Sequence, residues 1–394
     1  MILQSSSETE PVRNKKRLRI AVLSRMFSTT GGGAERYSIS LVEQLAHKHD
    51  IHVFAQKIGH QWPSVSYHQV SSPFLKPRWI NQLWFASRTW WLTRHGFDIV
   101  HSHENTWHGD VQTVHVLPVK YNLFYGQTGW RRILRYTKVL TSPRLLTYLL
   151  LEHLRYAKRI GRRWVVTSSS LGNILAISYP KCAGDISVIT PGIKLPSKEV
   201  VLPSKAEARV LLGLPMVGRI LLFVANDYRK KGLQTLLDAL GQLQLDVFLA
   251  IVGNSSQISF FKEKAKILGL EKRIFFLGSL DDVAPAYIAA DCLAHPTLED
   301  TFAMVVLEAM AHGLPVVVSG PELCGISGLL QNEVNAVILN NPRDAPQLSQ
   351  ALERVLTQKE LQKKLMQEGI NFAVEFQWNA LALRQEKLYY ELAP

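Results

Sequence analysis

The sequence predicts an α/β protein of two doubly wound, parallel-sheet domains, and three observations lead there. The chain has 394 residues, 47% hydrophobic and 20% charged, too long for one ordinary core and well suited to two of similar size. Between Leu18 and Gln56 a strand, a glycine turn, a helix and a second strand follow one another, a βαβ unit that implies a parallel sheet. The same alternation restarts near residue 218 and runs to Gly320.

Taken in order, the first strand is read at Leu18–Ser24, inside the basic opening NKKRLRIAVLS. Thr30-Gly31-Gly32-Gly33 forms a turn, and AERYSISLVEQLAHK sets Ala34, Tyr37, Leu41 and Leu45 at helical spacing. IHVFAQ, FDIVHSH (97–103), VQTVHV (111–116) and WVVTSS (164–169) read as further strands. Proline collects in ITPGIKLPSKEVVLPS, which marks a linker at Pro191–Pro203. Beyond it GRILLFVAND, LDVFLAIVGN, RIFFLGS, CLAHPT and LPVVVSG are strands, separated by the helices KGLQTLLDALGQL, FFKEKAKILGL, APAYIAAD and FAMVVLEAMAHG. A last helix, Trp378 to Leu392, follows every strand. The expected division is 1–195, 196–376 and a closing helix, 377–394.

Composition narrows the setting. Cys182, Cys292 and Cys324 form no close pair, which argues against a disulfide scaffold or a zinc site and fits a reducing compartment. The polar start MILQSSSETEPVRNKK lacks the apolar stretch of a signal peptide. No apolar run approaches the roughly 18 to 20 residues of a spanning helix, so the protein is expected to be soluble or peripheral. Charge is uneven: residues 1–190 hold 25 Lys/Arg against 10 Asp/Glu, and residues 191–394 hold 20 against 22. The first half is expected to meet something anionic.

Five motifs carry candidate chemistry. Gly32 and Gly33, after a strand and before a helix, let backbone N–H groups approach a phosphate, or simply make a turn. Their spacing is not that of a dinucleotide site, which disfavours an NAD-dependent oxidoreductase. Glu308 lies eight residues after Asp300, roughly 12 Å if helical. That span suits a sugar at one end and a ribose at the other, with unpaired N–H groups near Phe302–Val305 between them; the alternative is a helix cap and a surface acid. Arg229-Lys230-Lys231-Gly232 follows the first strand of the second half, where open α/β sheets bind ligands, and its cations suit a diphosphate. His115 ends VQTVHV, with Asp110 before it and His101 and His103 nearby; a histidine there can bond a substrate hydroxyl, and no metal-ligand spacing is completed. Residues 131–163 hold ten Lys/Arg and one acid, Glu152, interleaved with Leu and Tyr. A second basic and aromatic cluster runs from Phe74 to Trp91. Both suit a helix lying on an anionic bilayer, through Arg131, Arg132, Arg135, Lys138 and Arg144; the alternatives are a core helix with a solvated basic face and a nucleic-acid patch.

Together these motifs resemble the retaining GT-B glycosyltransferases of the group 1, Glu-x7-Glu type. GGGAERYSISLVEQLA looks like the family's Gly-Gly-x-Glu-Arg helix opening, FDIVHSH like its Asp-Val-Val-His-x-His strand and QTVHV like its Thr-x-His. ISVITPGI resembles the linker entry, and AADCLAHPTLEDTFAMVVLEAMAHGLPVVVS is the most specific piece. ITPGI, FVANDYRKKGLQTLLDAL and AADCLAHP are similar to the lipopolysaccharide-core glucosyltransferase I branch. The resemblance implies two Rossmann-like domains facing a cleft and a last helix that crosses back to the first domain. It implies a nucleotide-sugar substrate, with UDP-sugars foremost, no cofactor and no bound metal. The acceptor would be a cell-envelope glycolipid or saccharide at the inner face of the cytoplasmic membrane.

Carried over position by position, Lys230 and Lys231 would grip the diphosphate, with Gly32 and Gly33 approaching it from the other domain. Glu308 would hold the ribose. Asp300, Phe302, Ala303 and Met304 would border the sugar, the last three through backbone amides, and His115 would contact a sugar hydroxyl or steady charge. Gly253, Gly278 and Ser279 would line the base pocket. The chain departs from the family at Asp300, where Glu is usual, at Ala303, where Gly is usual, and at Ala225, where an Arg is common. A nucleotide-sugar 2-epimerase shares the design, and a non-catalytic sugar- or lipid-binding protein is a third class.

Overall fold

The computed structural model describes residues 16–28, 32–74, 76–196, 202–253 and 255–393. The polar start through Lys15, Thr30 and Gly31 of the glycine turn, and linker residues 197–201 lie outside these. The first half runs β1 (Arg19–Leu23), β2 (Met26–Phe27), α1 (Gly33–Leu45), β3 (Asp50–Ala55), β4 (Lys57–Ile58), β5 (Val65–Gln69), α2 (Arg78–Thr93), β6 (Ile99–Ser102), β7 (Val111–Val114), α3 (Val119–Phe124), α4 (Gly129–Leu140), α5 (Pro143–Arg155), β8 (Arg163–Val166), α6 (Ser169–Ser178) and β9 (Ile186–Val188). The second runs α7 (Lys205–Leu211), β10 (Arg219–Val224), α8 (Leu233–Gln242), β11 (Val247–Val252), α9 (Ile258–Ile267), β12 (Ile274–Gly278), α10 (Ala284–Ala289), β13 (Cys292–His295), α11 (Met304–Ala311), β14 (Val316–Ser319), β15 (Val337–Leu339), α12 (Ala345–Thr357), α13 (Lys359–Val374) and α14 (Trp378–Leu392).

Two large parallel sheets result, ordered β5-β3-β1-β6-β7-β8-β9 and β12-β11-β10-β13-β14-β15, with β2 and β4 forming a separate two-stranded pair. Helices cover both faces, so the central strands are buried on both sides and need unbroken apolar runs such as RIAVL and RILLFV. In each sheet the order reverses once, between β1 and β6 in the first and between β10 and β13 in the second. Chains leave a doubly wound sheet in opposite directions at such a point and open a crevice beyond the strands' carboxyl ends.

The last helix belongs to the first half by packing. Trp378, Ala382, Leu388 and Tyr389 enter the core formed by β1, β3 and α1. Tyr389 Oη bonds the buried His101 ring, and Glu386 meets His49 at 3.0 Å and Lys48 at 3.1 Å. The Ile193 N–H donates to Phe376 O at 2.7 Å where the chain passes out to the second half and returns. Cys182, Cys292 and Cys324 are buried and unbridged.

Candidate active site

The second sheet's reversal point brings together the loops after β10 and β13. Gly232 makes this approach possible: its φ is +79°, and a Cβ there would lie 2.0 Å from Pro296 O. The Leu298 N–H then donates to Lys230 O at 2.8 Å. Lys231 therefore points at the loop after β13, where its Nζ donates to Asp300 Oδ2 (2.6 Å) and Glu299 O (2.8 Å).

Asp300 is held from every side. His295, the last residue of β13, donates from Nε2 to Oδ2 at 3.2 Å. The Phe302 and Ala303 N–H groups donate to Oδ1 at 3.2 and 2.8 Å. Burial alone would raise the Asp300 pKa, but the His295 hydrogen bond and the Lys231 charge outweigh it and hold the carboxyl well below the usual carboxylate range. Burial keeps His295 neutral, and its Nδ1 is buried without a partner among the described residues. The Asp300 backbone is clamped as well, its N–H on Leu323 O (2.7 Å) and its carbonyl under the Gly325 N–H (3.0 Å).

This geometry corrects the expected helical span. The helix α11 begins at Met304, not at Asp300, so the 12 Å rise applies only to the four residues before Glu308, about 6 Å. Asp300 acts as a cap of the turn and an ion-pair partner at once. The Phe302 and Ala303 amides, expected to face a sugar, are taken up by Asp300. Among the described residues the Met304 and Val305 N–H groups find no acceptor, as the first turn of a helix leaves them. One turn on, Glu308 Oε2 accepts from Tyr287 Oη at 2.7 Å. Burial first, then that carboxylate, push the Tyr287 pKa far up. The Arg36 charge, on the first turn of α1, reaches Tyr287 from the other half.

The first half meets this loop through His115. Thr301 Oγ1 donates to His115 O (2.9 Å), and Thr167 Oγ1 donates to Thr301 O (3.5 Å). The carboxyl ends of β7 and β8 thus abut the turn that carries Asp300. His115 Nε2 hydrogen-bonds His103 Nδ1 (3.0 Å), and the ring lies edge-on to Tyr37 of α1 at 5.1 Å. Burial, then the Arg155 charge, pull its pKa down to about 3. His115 is therefore neutral near pH 7 and offers a hydrogen bond rather than a charge.

The structure brings Lys231, Asp300, Phe302, Ala303, Met304, Glu308 and His115 together. Lys230 is more exposed and pairs with Glu299 at 2.8 Å. The Arg229 guanidinium lies over the Phe260 ring at 4.7 Å. Gly32 precedes α1 and, with Gly33, is exposed. Gly253 and Gly278 meet through an N–H to carbonyl bond of 2.7 Å, with Ser279 exposed beside them. Asp110 does not join the site. It precedes β7 while His115 follows it, and its carboxylate accepts the Val100 N–H at 2.8 Å. His101 is a buried link between Thr113 and Tyr389. Arg131, Arg132, Lys138 and Arg144 are exposed on α4 and α5, Arg135 is half-buried, and all lie well away in the chain from these loops. His295, Thr301 and Tyr287 escaped the sequence reading. The position of His295 at the carboxyl end of CLAH was the available signal for it. Among the described residues no group of three or more His, Cys, Asp or Glu is placed to hold a metal ion.

Two family models match the chain, "Glycosyltransferase Family 4" over residues 31–195 and "Glycosyl transferases group 1" over residues 204–372. The lipopolysaccharide glucosyltransferase WaaG of Escherichia coli (strain K12) is 27% identical over 192 residues, 47% of this chain and 50% of that protein. The chain spans about half the length of the curated relatives it matches. Among solved structures, WaaG, described as involved in lipopolysaccharide biosynthesis, superposes with a TM-score of 0.79 at 20% identity, covering 94% of this chain and 99% of that one. Anabaena HepE in complex with UDP and glucose superposes with a TM-score of 0.74 at 18% identity, covering 95% and 100%. At these identities the superpositions establish the fold.

Proposed function

The chain belongs to the GT-B glycosyltransferases, and on that premise we propose that it moves a sugar from a UDP-sugar onto a cell-envelope glycolipid or lipopolysaccharide-core acceptor, with retention of anomeric configuration. The observation that carries this reading is the Lys231–Asp300 pair at the reversal point between β10 and β13. It lies beside the open amides of α11 and one turn from Glu308. The choice of UDP is supported by the UDP and UDP-glucose bound to HepE.

In this reading the diphosphate lies against Lys231 and the Met304 and Val305 amides, where a helix tip and an ammonium both favour negative charge. Lys230 adds a more exposed cation. Ala225 supplies none, so Lys231 bears most of the neutralisation. Glu308, oriented by Tyr287, accepts the ribose hydroxyls, and the Gly32–Gly33 turn closes from the opposite half. During transfer the bond from the anomeric carbon to the phosphate oxygen breaks, and the acceptor oxygen bonds that carbon on the same face. The acceptor's proton passes to the departing phosphate oxygen. Donors preorganised where charge develops are the main source of acceleration in such a step. Neutral His115 offers a hydrogen bond to a sugar hydroxyl. Side chains supply the charge neutralisation, so activity is expected to persist in EDTA.

No helix among the described residues is long and apolar enough to cross a membrane. The proposed setting is peripheral, on the inner face of the cytoplasmic membrane, with α4 and the start of α5 against anionic lipid. The test of the donor site is calorimetric titration with UDP-, GDP- and ADP-sugars, followed by transfer assays. Lys231→Ala and Glu308→Ala should each weaken donor binding about 10- to 100-fold, the loss of one charge-assisted contact. Undiminished donor use in both variants would remove the site. Interconversion of sugars without an acceptor would replace transfer by epimerisation.

A further inference from the structure

We propose that the Lys231–Asp300 ion pair is a relay that couples the two ends of the donor site, so that the sugar subsite opens only when a diphosphate draws Lys231 away. The inference rests on the donor-site reading above and adds an order of events to it.

A carboxylate offers about four lone-pair positions, and Asp300 uses four. Phe302 N–H and Ala303 N–H occupy Oδ1, at 3.2 and 2.8 Å. Lys231 Nζ and His295 Nε2 occupy Oδ2, at 2.6 and 3.2 Å. A sugar hydroxyl therefore has no acceptor position on Asp300 while Lys231 remains. Of the four donors, three are fixed. Two are amides of Asp300's own turn, and the third is the side chain of a residue at the end of a central strand, 1% exposed. Asp300 itself is pinned by Leu323 and Gly325. Only Lys231 has freedom, at the end of an unbranched four-carbon stem.

The ammonium has three N–H donors and commits two, to Asp300 Oδ2 and Glu299 O. A diphosphate can take the third and then compete for the others, since it carries more charge than one carboxylate. When Lys231 moves to the phosphate, the vacated position on Oδ2 accepts a hydroxyl of the attached sugar. A sugar without a diphosphate meets a filled carboxylate, and a nucleoside diphosphate without a sugar leaves an uncompensated one. The intact donor satisfies both groups.

The test uses the full-length protein and UDP, with GDP and ADP as alternatives if one of them binds better. Asp300→Asn keeps a carbonyl oxygen for the Phe302 and Ala303 amides. It turns an NH2 towards His295 Nε2, whose proton moves to the unpartnered Nδ1, and it frees the Lys231 charge. We expect Asp300→Asn to bind the nucleoside diphosphate about tenfold more tightly than the natural protein, within the usual range of coupling between sites, while transfer from the donor falls. Unchanged or weaker binding in a folded Asp300→Asn protein overturns the relay. A second measurement needs no variant. Glucose, galactose, mannose and N-acetylglucosamine are titrated into the natural protein with and without saturating UDP, and at least one should bind about tenfold more tightly with it. Equal affinity for all four overturns the relay even if Asp300→Asn fails to fold. Failure of all three nucleotides to bind the natural protein rejects the donor site itself. Binding that is lost in Lys231→Ala but not tightened in Asp300→Asn rejects the relay alone.

Discussion

Ala303 shows how far one residue shapes this site. It holds φ 72° and ψ 69°, left-handed values that a Cβ disfavours by about 1–2 kcal/mol. The twist sends the Phe302 and Ala303 amides back to Asp300 and leaves the next two facing outward. Ala303→Gly removes the strain but adds about 0.4–1 kcal/mol of unfolded-chain freedom. The net expectation is a gain of up to about 1.6 kcal/mol, read as a higher urea midpoint with an unchanged slope. A lower midpoint would mean that the methyl's packing outweighs the twist. Residue identities at this site were legible because Lys231, Asp300 and Glu308 recur at family spacing. Their conformations were not, because spacing does not reveal that Asp300 precedes the helix. Asp110 illustrates the converse: it and His115 are five positions apart, but the strand between them spans about 13 Å at roughly 3.3 Å per residue, so they lie at opposite ends of β7.

At the scale of elements, legibility followed burial. The central strands β1, β3, β10 and β11 were readable because both faces are covered and the residues are mostly apolar, with Arg19, Asp50 and Arg219 at their starts. The edge strand β5, VSYHQ, has one of the least apolar patterns in the first sheet because most of it faces water. The three-residue strands β9 and β15 were too short to show a period. The helix α4 is the unusual case. It buries only Val139, while Trp130, Ile133, Leu134 and Leu140 are each more than half exposed beside Arg131, Arg132, Arg135 and Lys138. A soluble helix normally turns such residues inward, and an apolar face rimmed by cations is the pattern of a helix seated in a lipid headgroup layer. Each cation adds about 1 kcal/mol at an anionic surface. Reversing Arg131, Arg132 and Arg135 to Glu should therefore reduce binding to phosphatidylglycerol-containing vesicles at least hundredfold, and 0.5 M salt should do much the same to the natural protein. Sedimentation with vesicles reads both, and binding indifferent to charge and salt would remove α4 from the membrane.

At the scale of the molecule, the halves differ most in their histidines. Eleven of the thirteen lie before residue 154. Burial, with neighbouring positive groups, pulls the pKa values of His101, His108 and His115 down to about 3 and that of His103 well below normal, while His49 and His68 are also lowered. The four strongly shifted rings, His101, His103, His108 and His115, are neutral when folded and become protonated when unfolded below about pH 6.5. The unfolded chain then binds more protons, so stability falls on acidification. Each fully displaced ring contributes at most about 1.4 kcal/mol per pH unit between about pH 6.5 and 3. Asp110 and Glu152, raised by burial, work in the opposite direction as they take up protons, over a narrower range near carboxylate values. The second half has only His295 lowered in this way. Asp300, held low, protects that half until the pH drops below the ordinary carboxylate range. The first half should therefore open first in acid. Tryptophan reports it selectively, because eight of the nine lie between Trp62 and Trp164 and the ninth, Trp378, packs edge-on to Tyr37 at 5.2 Å. On titration from pH 7 to 4 the tryptophan emission should shift to the red at a higher pH than the loss of helical circular dichroism, leaving the second sheet and its helices folded. Multidomain chains commonly unfold in such steps. Coincident transitions would show instead that α14, packed into the first core while continuing the chain of the second, and the Thr301–His115 contact bind the halves into one cooperative unit.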